Sequence, residues 1–123
     1  PGLAVEEVSH GLAVGDIDFD GDLDMAISNV DEPPTLLRND TDEPGTSLLV
    51  DAPHVVRADA TKGDGTWIRH QVIGGSFLSV NDPRFHFGLG QEQRLDALTL
   101  VWPDGFRRKI QDVPTNHALT IWR

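Results

Sequence analysis

Asp16-Ile17-Asp18-Phe19-Asp20-Gly21-Asp22-Leu23-Asp24 places five aspartates in nine residues, with a glycine at the sixth position. In an extended chain all five carboxylates would lie on one face and repel one another. In a tight loop they converge on a point, and a hard cation that prefers oxygen ligands makes that convergence favourable. The opening Asp-x-Asp-x-Asp-Gly matches the start of an EF-hand loop, but loop position 12, where an EF-hand needs a bidentate Glu, is Ile27. Asp24, at position 9, offers a carboxylate earlier. The flanks, residues 11–14 and 23–30, are short and β-like. The reading is therefore strand, metal loop, strand. The side chains of Asp16, Asp18, Asp20 and Asp24 are the expected ligands, Asp22 supplies its backbone carbonyl, and Gly21 permits the sharp turn. Calcium, which takes six to eight oxygens, is the expected ion. Magnesium is the alternative, although it keeps its waters and is poorly served by a cage of carboxylates.

Around this loop the chain reads as all-β. Its 123 residues fit one compact domain, or one small domain with a fragment attached. Twelve glycines and eight prolines punctuate short apolar runs, and no window of about 11 residues carries an uninterrupted helical period. Residues 35–39 resume an extended piece after Glu32-Pro33-Pro34. Residues 40–46, with Pro44-Gly45, read as a linker. Further on, residues 48–50, 55–60, 67–73, 77–80, 84–89, 97–102, 106–110 and 118–122 are candidate strands. Between two of them, Pro103-Asp104-Gly105 is a hairpin turn: Pro presets φ, Asp bonds back to the backbone, and Gly takes positive φ. From about residue 47 this predicts a small antiparallel sandwich or barrel of six or seven strands.

A net charge of −10 and an isoelectric point near 4.6 point away from nucleic acid and anionic membranes. The absence of cysteine removes disulfides, thiolate metal sites and iron–sulfur clusters, and does not decide the compartment. No apolar run approaches the ~18 residues that span a bilayer. Pro1-Gly2-Leu3-Ala4-Val5 lacks the basic start and apolar core of a signal peptide, and the missing initiator Met implies a processed or trimmed chain. His10, His54, His70, His86 and His117 show no ligand spacing and read as structural residues. Ser76 and Ser79 lack a nucleophile elbow, and Gly74-Gly75-Ser76 reads as a turn. Carboxylates saturated by calcium are poor bases, so no catalytic role is expected.

Two stretches carry family resemblances. Gly11-Leu12-Ala13-Val14-Gly15-Asp16, the loop, and Leu23-Asp24-Met25-Ala26-Ile27-Ser28-Asn29 resemble one FG-GAP/VCBS repeat, closed by Leu36-Leu37-Arg38-Asn39. Ser76-Phe77-Leu78-Ser79, residues 81–90, Val101-Trp102-Pro103-Asp104-Gly105 and residues 112–116 resemble an ASPIC/UnbV domain. The resemblance implies three parts: a calcium-binding, propeller-repeat-like β-hairpin at 1–40, a linker at 41–46, and an ASPIC/UnbV-like β domain at 47–123. The pairing is typical of secreted, cartilage acidic protein-like chains. It implies an extracellular or cell-surface protein, with the periplasm as alternative, and either the C-terminal portion of a longer propeller protein or a minimal version of one. A lone strand–loop–strand unit cannot cover its own faces, so Leu12, Val14, Met25 and Ile27 call for a partner surface: a protein, or further copies of the chain in an oligomer or fibre. The leading expectation is a non-catalytic, calcium-stabilised adhesion or assembly module. The alternatives are a glycan-binding module, which requires exposed tryptophan among Trp67, Trp102 and Trp122, and an accessory domain of a secreted enzyme.

Overall fold

The acidic loop joins two strands that pair with each other. Ser9–Gly15 (β1) and Asp24–Asn29 (β2) form an antiparallel hairpin in which Gly15 faces Asp24 and Val14 faces Met25. Thr35–Leu37 (β3) pairs with the far side of β2, giving the order β1-β2-β3. The computed structural model describes residues 6–41 and 45–123; residues 1–5, read for a targeting segment, and 42–44, within the expected linker, lie outside them. Ten strands and no helix are present among the described residues, so the chain is all-β.

The chain divides into two units. Pro1–Asp42 and Val72–Pro83 form the first, and Glu43–Gln71 with Arg84–Arg123 form the second. The sequence boundary at 41–46 is thus joined by a second one: residues 72–83, which lie inside the expected 47–123 domain, belong structurally to the first unit. Hydrogen bonds account for this. Ser76 Oγ accepts from the Leu12 N–H at 3.1 Å, Asn81 Oδ1 accepts from the Val14 N–H at 3.0 Å, and the Asp82 N–H donates to the Val14 carbonyl at 2.9 Å. This tongue satisfies the outer edge of β1, which would otherwise offer a template to another chain. Gly11 and Gly15 leave it room. A Cβ on Gly11 would lie 2.7 Å from the Phe77 carbonyl oxygen, and one on Gly15 would lie 2.9 Å from Asp82 Cβ.

In the second unit, Ser47–Asp51 (β4), Phe85–Gly88 (β7) and His117–Thr120 (β10) form one sheet, ordered β10-β4-β7. Arg57–Lys62 (β5), Gly65–His70 (β6), Arg94–Val101 (β8) and Arg107–Pro114 (β9) form the other, ordered β6-β5-β8-β9. The pairings are antiparallel except β10 with β4, which run parallel. Asn116 sets up that exception. Its N–H donates to the Ser47 carbonyl at 2.6 Å, and its side-chain oxygen accepts from the Ser47 N–H at 3.0 Å. Leu48, Val50, Phe87, Leu98, Leu100 and Trp102 belong to one fully formed core shared by the two sheets. The Pro103-Asp104-Gly105 turn closes as expected: Gly105 N–H donates to the Trp102 carbonyl, Phe106 N–H to Asp104 Oδ1, and Gly105 takes φ +85°.

Two expected strands are corrected. Residues 77–80 form a turn, with only a bridge between Ser76 and Ser79. Gly74, Gly75 and Leu78 all have positive φ, and the tongue meets β1 largely through side chains. The strand expected at 67–73 ends at His70, where the chain departs toward the tongue.

Three exposed carboxylates clip the hairpins of the second unit. Asp96 accepts from Gly63 N–H and Lys62, Asp104 from Phe106 N–H and Arg123, and Asp112 from Arg94. These bonds hold all three carboxyls below the ordinary value of 3.8. A depressed folded-state pKa stabilises above the unfolded value, and that stabilisation is lost as pH falls through the folded one. The melting temperature of the second unit should therefore fall below about pH 4, and Asp96→Asn should flatten that acid limb; the check is tryptophan-detected melting across pH. In the first unit, Gly11→Ala should cost about 1–3 kcal/mol through the clash with the Phe77 carbonyl. Hydrogen exchange at the Leu12 and Val14 amides should accelerate, while tryptophan fluorescence, confined to the second unit, stays unchanged.

Candidate metal centre

Alternating aspartates become a coil through their own side chains. Asp18 Oδ1 accepts from the Asp20 N–H at 3.3 Å, and Asp20 Oδ1 accepts from the Asp22 N–H at 2.9 Å. Each is an aspartate bonding two residues ahead, the bond that turns a backbone without a strand partner. Phe19 at φ +63° and Gly21 at φ +98° complete the reversal. Gly21 also donates its N–H to Asp16 Oδ2 at 3.2 Å.

Asp24 fixes the base of the loop. It is 1% exposed, and its two oxygens accept from the Ile17 N–H at 3.0 Å and the Asn39 N–H at 2.9 Å. One carboxylate thus ties the start of the loop to the stretch after β3. Asp16 is also buried, and Asp18 is exposed. One carboxylate oxygen from each of Asp16, Asp18 and Asp24 lies within 4.8 Å of the others. Two oxygens on opposite sides of one calcium ion, each bonded at 2.3–2.6 Å, stand about 5 Å apart, so this spacing fits a shared ion. The donor set is carboxylate only, which suits calcium or magnesium over softer metals. Arg38 stands beside the loop, its Nε 3.8 Å from Asp18 Oδ2 and 2.6 Å from Asp40 Oδ1. It is exposed and committed to Asp40, which raises its pKa further, so it offsets little of the loop's charge.

Of the five expected ligands, the fold brings three side chains together: Asp16, Asp18 and Asp24. Asp20 and Asp22 stand outside that group, with Asp20 occupied in winding the loop. Asn39 is a contributor that the reading of the residues did not assign, since it acts through its backbone N–H. The tongue was also missed. Its signal was the pair of glycines within β1, because a glycine inside a strand marks a close approach of other chain.

Among the described residues no histidine joins this cluster. His10 sits edge-on to Phe77 at 5.9 Å, and His117 Nδ1 is 2.6 Å from the Thr115 carbonyl. Ser76 and Ser79 are engaged with Leu12 N–H and the Phe77 carbonyl. Of the tryptophans, Trp102 is buried, Trp67 packs against the core, and Trp122 is 67% exposed. Residues 56–123 match the model of the family described as ASPIC and UnbV. No curated protein matches the chain.

Because Asp24 is a scaffold as well as a candidate ligand, two substitutions should separate in chelator. Asp24→Ala removes both backbone bonds, at about 1.5–3 kcal/mol each, and should unfold the hairpin even without calcium. Asp18→Ala removes an exposed charge and one long bond to the Asp20 N–H, and should lower the stability of the chelated protein far less than Asp24→Ala does. Far-UV circular dichroism melts of both variants in chelator provide the measurement.

Proposed function

The chain belongs to the ASPIC and UnbV family, and from that premise we propose that it is a non-catalytic, calcium-binding extracellular module for adhesion or assembly. Its first unit acts as an FG-GAP/VCBS-like repeat that docks onto a protein surface, with further copies of this chain as the leading partner. One observation carries the reading: among the described residues, every buried apolar side chain belongs to the second unit. The first unit exposes Val8, Leu12, Phe19 and Leu36, and its tongue exposes Ile73, Phe77, Leu78 and Val80. Its strands are held by ladders and polar bonds, such as those from Asn29 Nδ2 to the Pro33 carbonyl and Thr35 Oγ1. A sheet with uncovered apolar faces marks an interaction surface.

Calcium would add stability to a unit that has no buried apolar side chain among the described residues. It would sit among Asp16, Asp18 and Asp24, neutralise their charge, and convert binding energy into folding energy. The carboxylates accept backbone N–H groups and converge on one point, the arrangement of ligands rather than of an acid–base pair. Extracellular sites of this kind are weak, at about 10⁻⁴–10⁻³ M, which suits a millimolar external supply.

Millimolar calcium should raise the melting temperature of the first unit and shift the protein to larger particles in analytical ultracentrifugation. Asp18→Ala should remove most of both effects, and Leu78→Asp should remove the association alone. Identical melting curves in calcium and in chelator would overturn the metal site; calcium-stabilised protein that stays monomeric and captures no copy of itself would overturn self-assembly.

A further inference from the structure

An open cleft of about 540 Å³ lies on the second unit, on the side formed by the β8–β9 turn and the last residues of the chain. Its volume falls in the range of ligand cavities, roughly 300–1,000 Å³. Trp102, 3% exposed, forms its floor, and Pro53 and Pro103 stiffen its sides. Trp122, 67% exposed as a residue, also lines it. The backbone beneath that indole is fixed: Ile121 N–H donates to the Asp51 carbonyl at 2.9 Å, and Arg108 Nη1 donates to the Trp122 carbonyl. A large aromatic is thus held in solvent by an anchored chain.

The polar groups of the cleft are held as firmly. Arg123 Nη2 lies 2.5 Å from Asp104 Oδ2, and its guanidinium stacks 4.5 Å above the Phe106 ring. Phe106 in turn lies 5.5 Å from Trp102. His54 sits at φ +65° in a turn closed by the Val55 N–H on the Ala52 carbonyl. His adopts this left-handed region more readily than most side chains, and the closed turn fixes the backbone that carries it beside the cleft.

Charge selects the ligand class. Asp104 and Arg123 neutralise each other, so the cleft has no net charge to attract an ion, and an ionic ligand would have to break the pair. A wholly apolar ligand would cover the pair and strip water from its remaining donors and lone pairs without replacing those bonds, at a cost. A neutral ring with one apolar face and a rim of hydroxyls matches both the indole and the rim of donors and acceptors. We propose that this cleft binds a neutral saccharide, with a sugar ring stacked on Trp122 and its hydroxyls bonded by His54, Asp104 and Arg123. The site stands independently of the calcium loop.

The test is tryptophan fluorescence of the whole chain titrated with neutral oligosaccharides of glucose, galactose, mannose and N-acetylglucosamine, in calcium and in chelator, beside a polyproline peptide. At least one sugar should quench saturably, equally in both buffers. Trp122→Ala and His54→Ala, each first shown to melt like the parent, should weaken that sugar by about tenfold or more, read by calorimetry because Trp122→Ala removes the reporter. Arg107→Ala, on the exposed face of β9, should leave it unchanged. Absence of saturable binding by all four sugars, binding that survives Trp122→Ala, or Trp122-dependent binding of polyproline in place of sugar would each overturn the proposal.

Discussion

A buried carboxylate that must be satisfied governs the first unit. Asp24 begins β2 in almost complete burial, and a charge there is tolerable only when its oxygens are bonded. The Ile17 and Asn39 N–H groups meet that demand from two directions. Loop closure, the hairpin register and the position of the chain after β3 are therefore one constraint rather than three. The same bonds leave lone pairs on each oxygen, so one side chain can serve as scaffold and as ligand. Asp18 differs: exposed, bonded to the nearby Asp20 N–H and flanked by the exposed Arg38, it closes the cluster from the solvent side.

The two units solve the problem of stability differently. The second unit follows the usual route, with apolar side chains from two sheets filling one core. The alanines at 58 and 60 on β5 are buried in that core, where larger residues would force the sheets apart. Among its described residues the first unit has hydrogen bonds, tight glycine contacts and an acidic loop in place of such a core. The tongue links the two solutions in the sequence: it is drawn from within the matched family region, 56–123, yet its hydrogen bonds complete the sheet that carries the acidic loop.

Local chemistry was legible in the sequence, and remote pairing was not. The turn at Pro103-Asp104-Gly105 declared itself because three neighbouring residues each dictate a dihedral angle or a bond. The ASPIC/UnbV character of the second region was legible for the same reason, being carried by short ordered stretches. The tongue was misread because the apolar run Phe77-Leu78 resembles a strand. What it does depends on Ser76 and Asn81 side chains bonding residues 64 and 67 positions away. The parallel pairing of β10 with β4 rests on Asn116 reaching Ser47, again outside any local pattern. In the acidic loop, spacing announced convergence but could not say which three aspartates meet. That choice falls to backbone N–H groups, which no side-chain alphabet records.

Magnitudes decide what calcium can and cannot do here. Ordering backbone costs about 1–2 kcal/mol per residue, whereas an ion at about one- to tenfold its dissociation constant, the range a weak extracellular site meets in millimolar calcium, contributes roughly 0.4–1.4 kcal/mol. On the proposed reading that contribution biases the loop toward closure only because the Asp24 bonds already order it. It is small beside the cost of ordering three strands and a tongue. Covering a single Leu or Phe side chain yields about 1.5–3 kcal/mol, so a partner that covers Phe77, Leu78, Leu36 and Val80 contributes more than the ion does. On the proposed reading calcium therefore shapes the docking surface, and the surface that covers it supplies most of the stability. The order of events follows: ion first, partner second, with the loop's charge neutralised before two acidic chains approach each other.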